Sequence, residues 1–122
     1  MEPAVNITYR DIPSSPYVEA AVRDWILRLG RLSRRIQRCE VVIERPHQHH
    51  RHGHRYDVRV DLNVGDRVIS VSREPGVEPA HENIYVAIRD TFRAARRQLQ
   101  DHARIKRGDV KLHAAHGGGA PL

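Results

Sequence analysis

Cysteine occurs once in this chain of 122 residues, as Cys39. No disulfide framework can therefore hold the fold together. No stretch of about 18 apolar residues is present, which leaves no membrane-spanning helix. The opening "MEPAVNITYR" lacks the apolar core of a secretory signal, so the expectation is a cytoplasmic protein in a reducing compartment, with no membrane partner. Also missing are a Gly-rich phosphate loop, a nucleophile motif and an HExxH pattern. The acids Glu40, Glu44, Asp57 and Asp61 alternate along strands as surface acids do. The sequence thus predicts no enzyme, no small-molecule substrate and no cofactor. No internal repeat is visible, and the length suits one domain with one two-layer core.

What the chain does have is positive charge. Lysine and arginine outnumber the acids 21 to 15, for a net charge of +6 before any of the nine histidines is protonated. Polyanions are the partner class that such a balance attracts.

Hydrophobic period divides the chain into six elements. "AVNITYR" alternates, with Val5, Ile7 and Tyr9 on one face, as a half-buried strand does. A serine cap (Ser14 or Ser15) and Pro16 then start a helix whose stripe is Val18, Val22, Trp25, Ile26 and Leu29, with Gly30 as its stop. From Ile36 the period returns to two, with Cys39, Val41 and Ile43 facing inward. "RYDVRVDLNV" alternates in the same way, and Gly65 and Asp66 form a hairpin turn into "RVISVSRE". The mixed charges on the outer face predict cross-strand ion pairs. A long helix is expected from about His81 to Lys106. The order β-α-β-β-β-α predicts an α/β domain of the α+β kind: a mainly antiparallel four-stranded sheet with both helices on one face. Residues 1–107 form this domain, and 108–122 read as a flexible Gly-rich tail.

The last helix sorts its charge. At roughly 100° per residue, with Phe92 at zero, Ile84, Ile88, Ala95, Leu99 and Ala103 form the apolar face. Arg96, Arg89, Arg93, Arg104 and Arg97 follow at roughly 40°, 60°, 100°, 120° and 140°. Asp90 and Asp101 bound the far edge. Guanidinium groups stay protonated and offer donor forks to phosphate oxygens, so this flank is the candidate RNA-binding surface, with Lys106 and Arg107 as supporting charges. The first helix carries Arg23, Arg28, Arg31, Arg34 and Arg35, which suit a second backbone clamp and a solvated helix end equally well. Tyr85 could stack on a base, but seating the helix on the sheet is the preferred role.

The segment "HQHHRHGH" places His47, His49, His50, Arg51, His52 and His54 between two strands. Zinc takes three or four such ligands in a tetrahedron. A loop without cysteine, or hydrogen-bonding groups behind the imidazoles, does not fix that geometry, so no metal is expected. A solvated connection and a pH-sensitive contact for RNA or protein both remain open, because imidazole titrates near neutrality.

The element order together with "VNIT", "CEVVIE", "YVAI" and "RRQLQDH" resembles the ribosome hibernation promoting factor family, also known as ribosome-associated inhibitor or sigma-54 modulation protein. The resemblance covers about residues 4 to 107. Tyr85, Ala87, Ile88, Arg97, Gln98, Leu99 and His102 match its characteristic positions, while Ala94, Asp101 and Ala103 stand where relatives commonly carry lysine. The resemblance implies a fold similar to a double-stranded RNA-binding domain with one strand added. It also implies binding to 16S rRNA of the small ribosomal subunit, in the channel for mRNA and tRNA, which keeps ribosomes inactive under stress or in stationary phase. The alternatives are a protein-binding module of the sigma-factor modulation type and a general double-stranded RNA binder.

Overall fold

A computed structural model of the chain describes residues 3–45, 56–72 and 83–115, with side chains in the last segment described as far as Arg104. The six expected elements are present: β1 (Ala4–Arg10), α1 (Pro16–Leu32), β2 (Ile36–Glu44), β3 (Asp57–Val64), β4 (Arg67–Ser72) and α2 (Ile84–Ala115). The strands lie in the order β1-β2-β3-β4. β2 pairs antiparallel with β3 and β3 with β4, whereas β1 and β2 run parallel. A parallel pair cannot be joined by a tight turn. α1 is the crossover that the β1–β2 pairing requires.

One face of the sheet is dry. Cys39, Val41, Ile43, Val58, Val60, Leu62, Val64, Ile69 and Val71 are buried on it, covered by Val18, Val22, Ile26 and Leu29 of α1 and by Ala87, Ile88, Phe92, Ala95 and Leu99 of α2. Ile36 joins them although it lies three residues before Cys39, because a register shift between Ile36 and Arg38 inserts an extra residue and restores the inward face. The helices meet through aromatic rings: Trp25 stacks on Phe92 with centroids 6.0 Å apart and planes at 10°. Trp25 is only half-buried, and the Arg28 guanidinium covers it at 4.9 Å from the ring centre.

The helix ends differ from the sequence expectations for identifiable reasons. Ser15 is the cap of α1, accepting from the Val18 N–H at 3.4 Å, with Pro16 next. The helix does not stop at Gly30. It runs to Leu32, where the Ser33 N–H donates to the Leu29 carbonyl. Glycine inside a helix costs only about 1 kcal/mol, small enough for the helix-favouring Leu and Arg residues around it to override. The expected start of α2 at His81 falls outside the described residues. The described helix begins at Ile84, after Asn83, whose Oδ1 accepts from the N–H groups of Tyr85 and Val86 at 2.9 and 3.4 Å. At its other end α2 continues to Ala115, so 108–115, expected in the flexible tail, are helical. Gly108 is the strongest helix breaker in "RGDVKLHAA", and the Lys, Leu and Ala after it favour a helix. Residues 116–122 lie outside the described segments.

α2 is also rotated relative to the expected face. Ala103 is exposed, whereas Ala87 and Thr91 are buried. Thr91 can be buried because its hydroxyl donates to the Ala87 carbonyl at 2.8 Å, leaving no polar group unpaired. Among the described residues no helix is long and apolar enough to cross a membrane.

Gly65 opens the β3–β4 turn with φ of 64°, as a two-residue hairpin with glycine first requires. Its N–H donates to the Arg35 carbonyl at 3.2 Å, and a Cβ there would lie 2.7 Å from Arg35 Nη2. We expect Gly65→Ala to lower unfolding stability by about 1–2 kcal/mol, from left-handed strain, and Gly65→Asn to cost less. Urea midpoints at unchanged slope measure both, and an Ala variant as stable as the parent would contradict the turn geometry.

Candidate nucleic-acid interface

The rotation of α2 decides which of its arginines reach solvent. With Phe92, Ala95 and Leu99 buried, the adjacent flank turns outward. Arg93, Arg96, Arg97 and Arg104 are exposed, and Arg89 is half-buried. These five are not electrostatically equal. Arg89 is bound to Asp90 Oδ1 through Nε at 3.2 Å and Nη2 at 3.1 Å. Arg104 is bound to Asp101 one turn away. Arg93, Arg96 and Arg97 form no ion pair among the described residues. The two aspartates at the edge of the stripe therefore compensate its ends, and uncompensated charge concentrates in the five positions from 93 to 97. Lys106 and Arg107 lie on the same helix, with side chains outside the described residues. His102 is half-buried and falls roughly 140° from Arg97 around the helix, off this flank.

The arginines of α1 divide in two. Arg23 pairs with Glu19 at 3.0 Å and Arg28 with Asp24 at 2.9 Å, each across one turn. These behave as an ordinary solvated helix face, worth a few tenths of a kcal/mol per pair. Arg31, Arg34 and Arg35 form no ion pair among the described residues, and Arg35 sits against the β3–β4 turn. They are the part of the run that keeps net charge.

The outer face of the sheet has the opposite character. The sequence predicts cross-strand ion pairs, but among the described residues Arg38 and Arg59 pair along their own strands. Glu40 stands opposite Asp61, and Glu44 opposite Asp57, so like charges face each other between the two central strands. The pairs along the strands join Arg38 to Glu40 at 3.8 Å and Arg59 to Asp61 at 3.4 Å. With a side-chain period of two, residues i and i+2 share a face, so a long arginine reaches the acid on its own strand. With Arg10, Arg38 and Arg59 set among four acids, this face is of mixed charge and makes a poor platform for a polyanion.

The remaining candidates separate clearly. The histidine loop, with His47, His49, His50, Arg51, His52 and His54, lies outside the described residues; at its two roots Arg45 Nη2 donates to the Tyr56 hydroxyl at 3.3 Å. Among the described residues no three His, Cys, Asp or Glu side chains form a group able to hold a metal. Tyr85, expected to seat the helix on the sheet, is instead 47% exposed. It shares its angle on the helical wheel with Ala103, and the rotation of α2 that buries Ala87 and Thr91 turns both outward.

The backbone order and the one-sided helix layer are those of known proteins. A family model described as sigma 54 modulation protein / S30EA ribosomal protein matches residues 5–107. The chain belongs to this family. Its fold is similar to that of a ribosomal subunit interface protein from Coxiella burnetii, with a TM-score of 0.67 and 11% identity over 83% of this chain and 98% of that one. The Protein Y N-terminal domain of Thermus thermophilus gives a TM-score of 0.62 and 15% identity over 84% and 99%. No curated protein matches the sequence. The S30EA match ends inside α2, three residues past Arg104, and so contains the whole described arginine flank.

Cys39 faces the core beside β3, and its thiol is pushed from 9.0 up to about 12, first by burial and then by the carboxylates of Asp61 and Glu40. A thiol so protonated is a poor nucleophile. At pH 8 a thiol reagent should label the native protein at least about a hundredfold more slowly than the urea-unfolded chain. Equal rates would contradict the burial of this strand.

Proposed function

We propose that this S30EA family member is a ribosome-associated translation inhibitor that binds 16S rRNA in the mRNA and tRNA channel of the small subunit and keeps ribosomes inactive during stress or stationary phase. The observation that carries the reading is the exposed, uncompensated group Arg93, Arg96 and Arg97 on a helix rotated to present it. Guanidinium forks on a rigid helix match phosphate oxygens without waiting for a loop to order. Arg89 and Arg104 join by exchanging their aspartates for phosphates. The exposed Arg104–Asp101 pair contributes little stability, so its exchange costs little, whereas the half-buried Arg89–Asp90 pair exchanges at a higher cost. Inhibition follows from occupancy alone: a bound domain fills space that mRNA and tRNA need, and no bond is made or broken. The family description also names sigma 54 modulation, a protein-binding function, and the experiment below separates the two.

Three phosphate contacts to single-stranded RNA give a slope of log affinity against log salt of about −2, and five give about −3.5. Sedimentation of the purified protein with small subunits over a salt series is expected to show a slope in that range. Arg93→Glu/Arg97→Glu should shallow the slope and weaken binding at least about tenfold at low salt. A wild-type protein that fails to co-sediment at low salt would refute ribosome binding, and a double variant that binds as wild type would refute this face. Equal affinity for any RNA duplex would replace the proposal with a general double-stranded RNA binder.

A further inference from the structure

Tyr85 is an aromatic side chain with nothing to do inside the fold. Nearly half of it is exposed, at 47%. Its neighbour Ile84 packs against the core, and Tyr85 does not. Its hydroxyl makes no hydrogen bond among the described residues. Its backbone, in contrast, is held firmly: the N–H donates to Asn83 Oδ1 at 2.9 Å, in the capped first turn of α2.

Position gives this ring a meaning. On the wheel that sets Phe92 at zero, Tyr85 falls at roughly 20°, in line with Arg96 at roughly 40° and Arg89 at roughly 60°. At about 1.5 Å of rise per residue it stands about 6 Å along the axis from Arg89 and about 12 Å from Arg93. The arginine row is thus headed by an exposed, backbone-anchored aromatic ring.

A row of cations ending in an aromatic platform is how proteins hold unpaired nucleotides. Cations follow the phosphates, and a base stacks on the ring. A duplex offers the phosphates but keeps its bases stacked within the helix, out of reach of a side chain. Arginines alone do not distinguish the two forms, whereas an added ring favours the unpaired one. Resting on the RNA-binding reading above, we propose that Tyr85 stacks on an unpaired RNA base whose adjoining phosphates are held by the arginine row of α2. The partner class at this end of the site is therefore single-stranded RNA, a loop or an extruded base.

The decisive probe is a pair of short single-stranded RNAs of equal length, one with all bases and one with abasic positions, titrated against wild type, Tyr85→Leu and Tyr85→Phe. Tyr85→Leu should weaken binding of the complete RNA about tenfold, Tyr85→Phe should bind as wild type, and all three should bind the abasic RNA alike. The salt slope of Tyr85→Leu should equal that of wild type, because stacking neutralises no phosphate. Melting temperatures confirm that both variants are folded. A Tyr85→Leu protein that binds the complete RNA as well as wild type, or that loses as much on the abasic RNA, would overturn the proposal. Because these oligonucleotides contain no ribosome, stacking and small-subunit binding can fail separately.

Discussion

Phe92 sets the geometry of everything that follows. Fully buried and stacked on Trp25, it locks the rotation of α2 about its own axis, and the large cost of exposing such a ring, about 3 kcal/mol or more, makes that rotation unambiguous. Arg93 is the next residue, about 100° away. The packing that hides one therefore displays the other. A helix held by several small contacts could roll by tens of degrees, and its charges would smear around the surface. With Phe92, Ala95 and Leu99 as the buried side, the arginines are confined to one flank.

The same one-sided packing produces an electrical asymmetry across the domain. α1 must cross over the sheet to join parallel β1 and β2, and α2 lies beside it, so both helices occupy one layer. The uncompensated arginines of both helices belong to that layer. The outer face of the sheet holds Glu40 opposite Asp61 and Glu44 opposite Asp57. The net charge of +6 is thus unevenly spread, with unpaired arginines on the helical layer and mixed, largely compensated charge on the sheet. Under the proposed RNA-binding function, such an asymmetry would orient the polyanion before contact, with the helices toward it.

Most of the architecture is legible in the sequence, because a sheet with one buried face writes its period into the chain. Val58, Val60, Leu62 and Val64 can be read as inward with no structure at all. What is not legible is where a helix yields. Gly30 looks like a stop and Gly108 like the start of a tail, yet a single glycine is a small local cost that neighbouring packing or helix-favouring residues override. Thr91 could not be placed inside from its polarity, since the Ala87 carbonyl that satisfies it is a feature of the folded helix. On the site, the arginine flank was visible on a helical wheel. Its internal division was not, because whether Asp90 and Asp101 reach Arg89 and Arg104 depends on rotamers. Tyr85 is illegible for a related reason: an aromatic next to an apolar stripe ordinarily packs, and only the rotation that buries Ala87 and Thr91 shows that its position turns outward.

The central claim is that the helical layer faces RNA and the sheet faces away. Tethered hydroxyl-radical probing tests it most directly. A chelated iron is attached to a cysteine placed at Gln100, on the arginine flank, or at Ser70, exposed on the outer sheet face, while Cys39, buried in the core, stays unlabelled. With the protein bound to small subunits, the account predicts strong, localised cleavage of the ribosomal RNA from position 100 and little from position 70. Equal cleavage from both positions, or stronger cleavage from position 70, would contradict it.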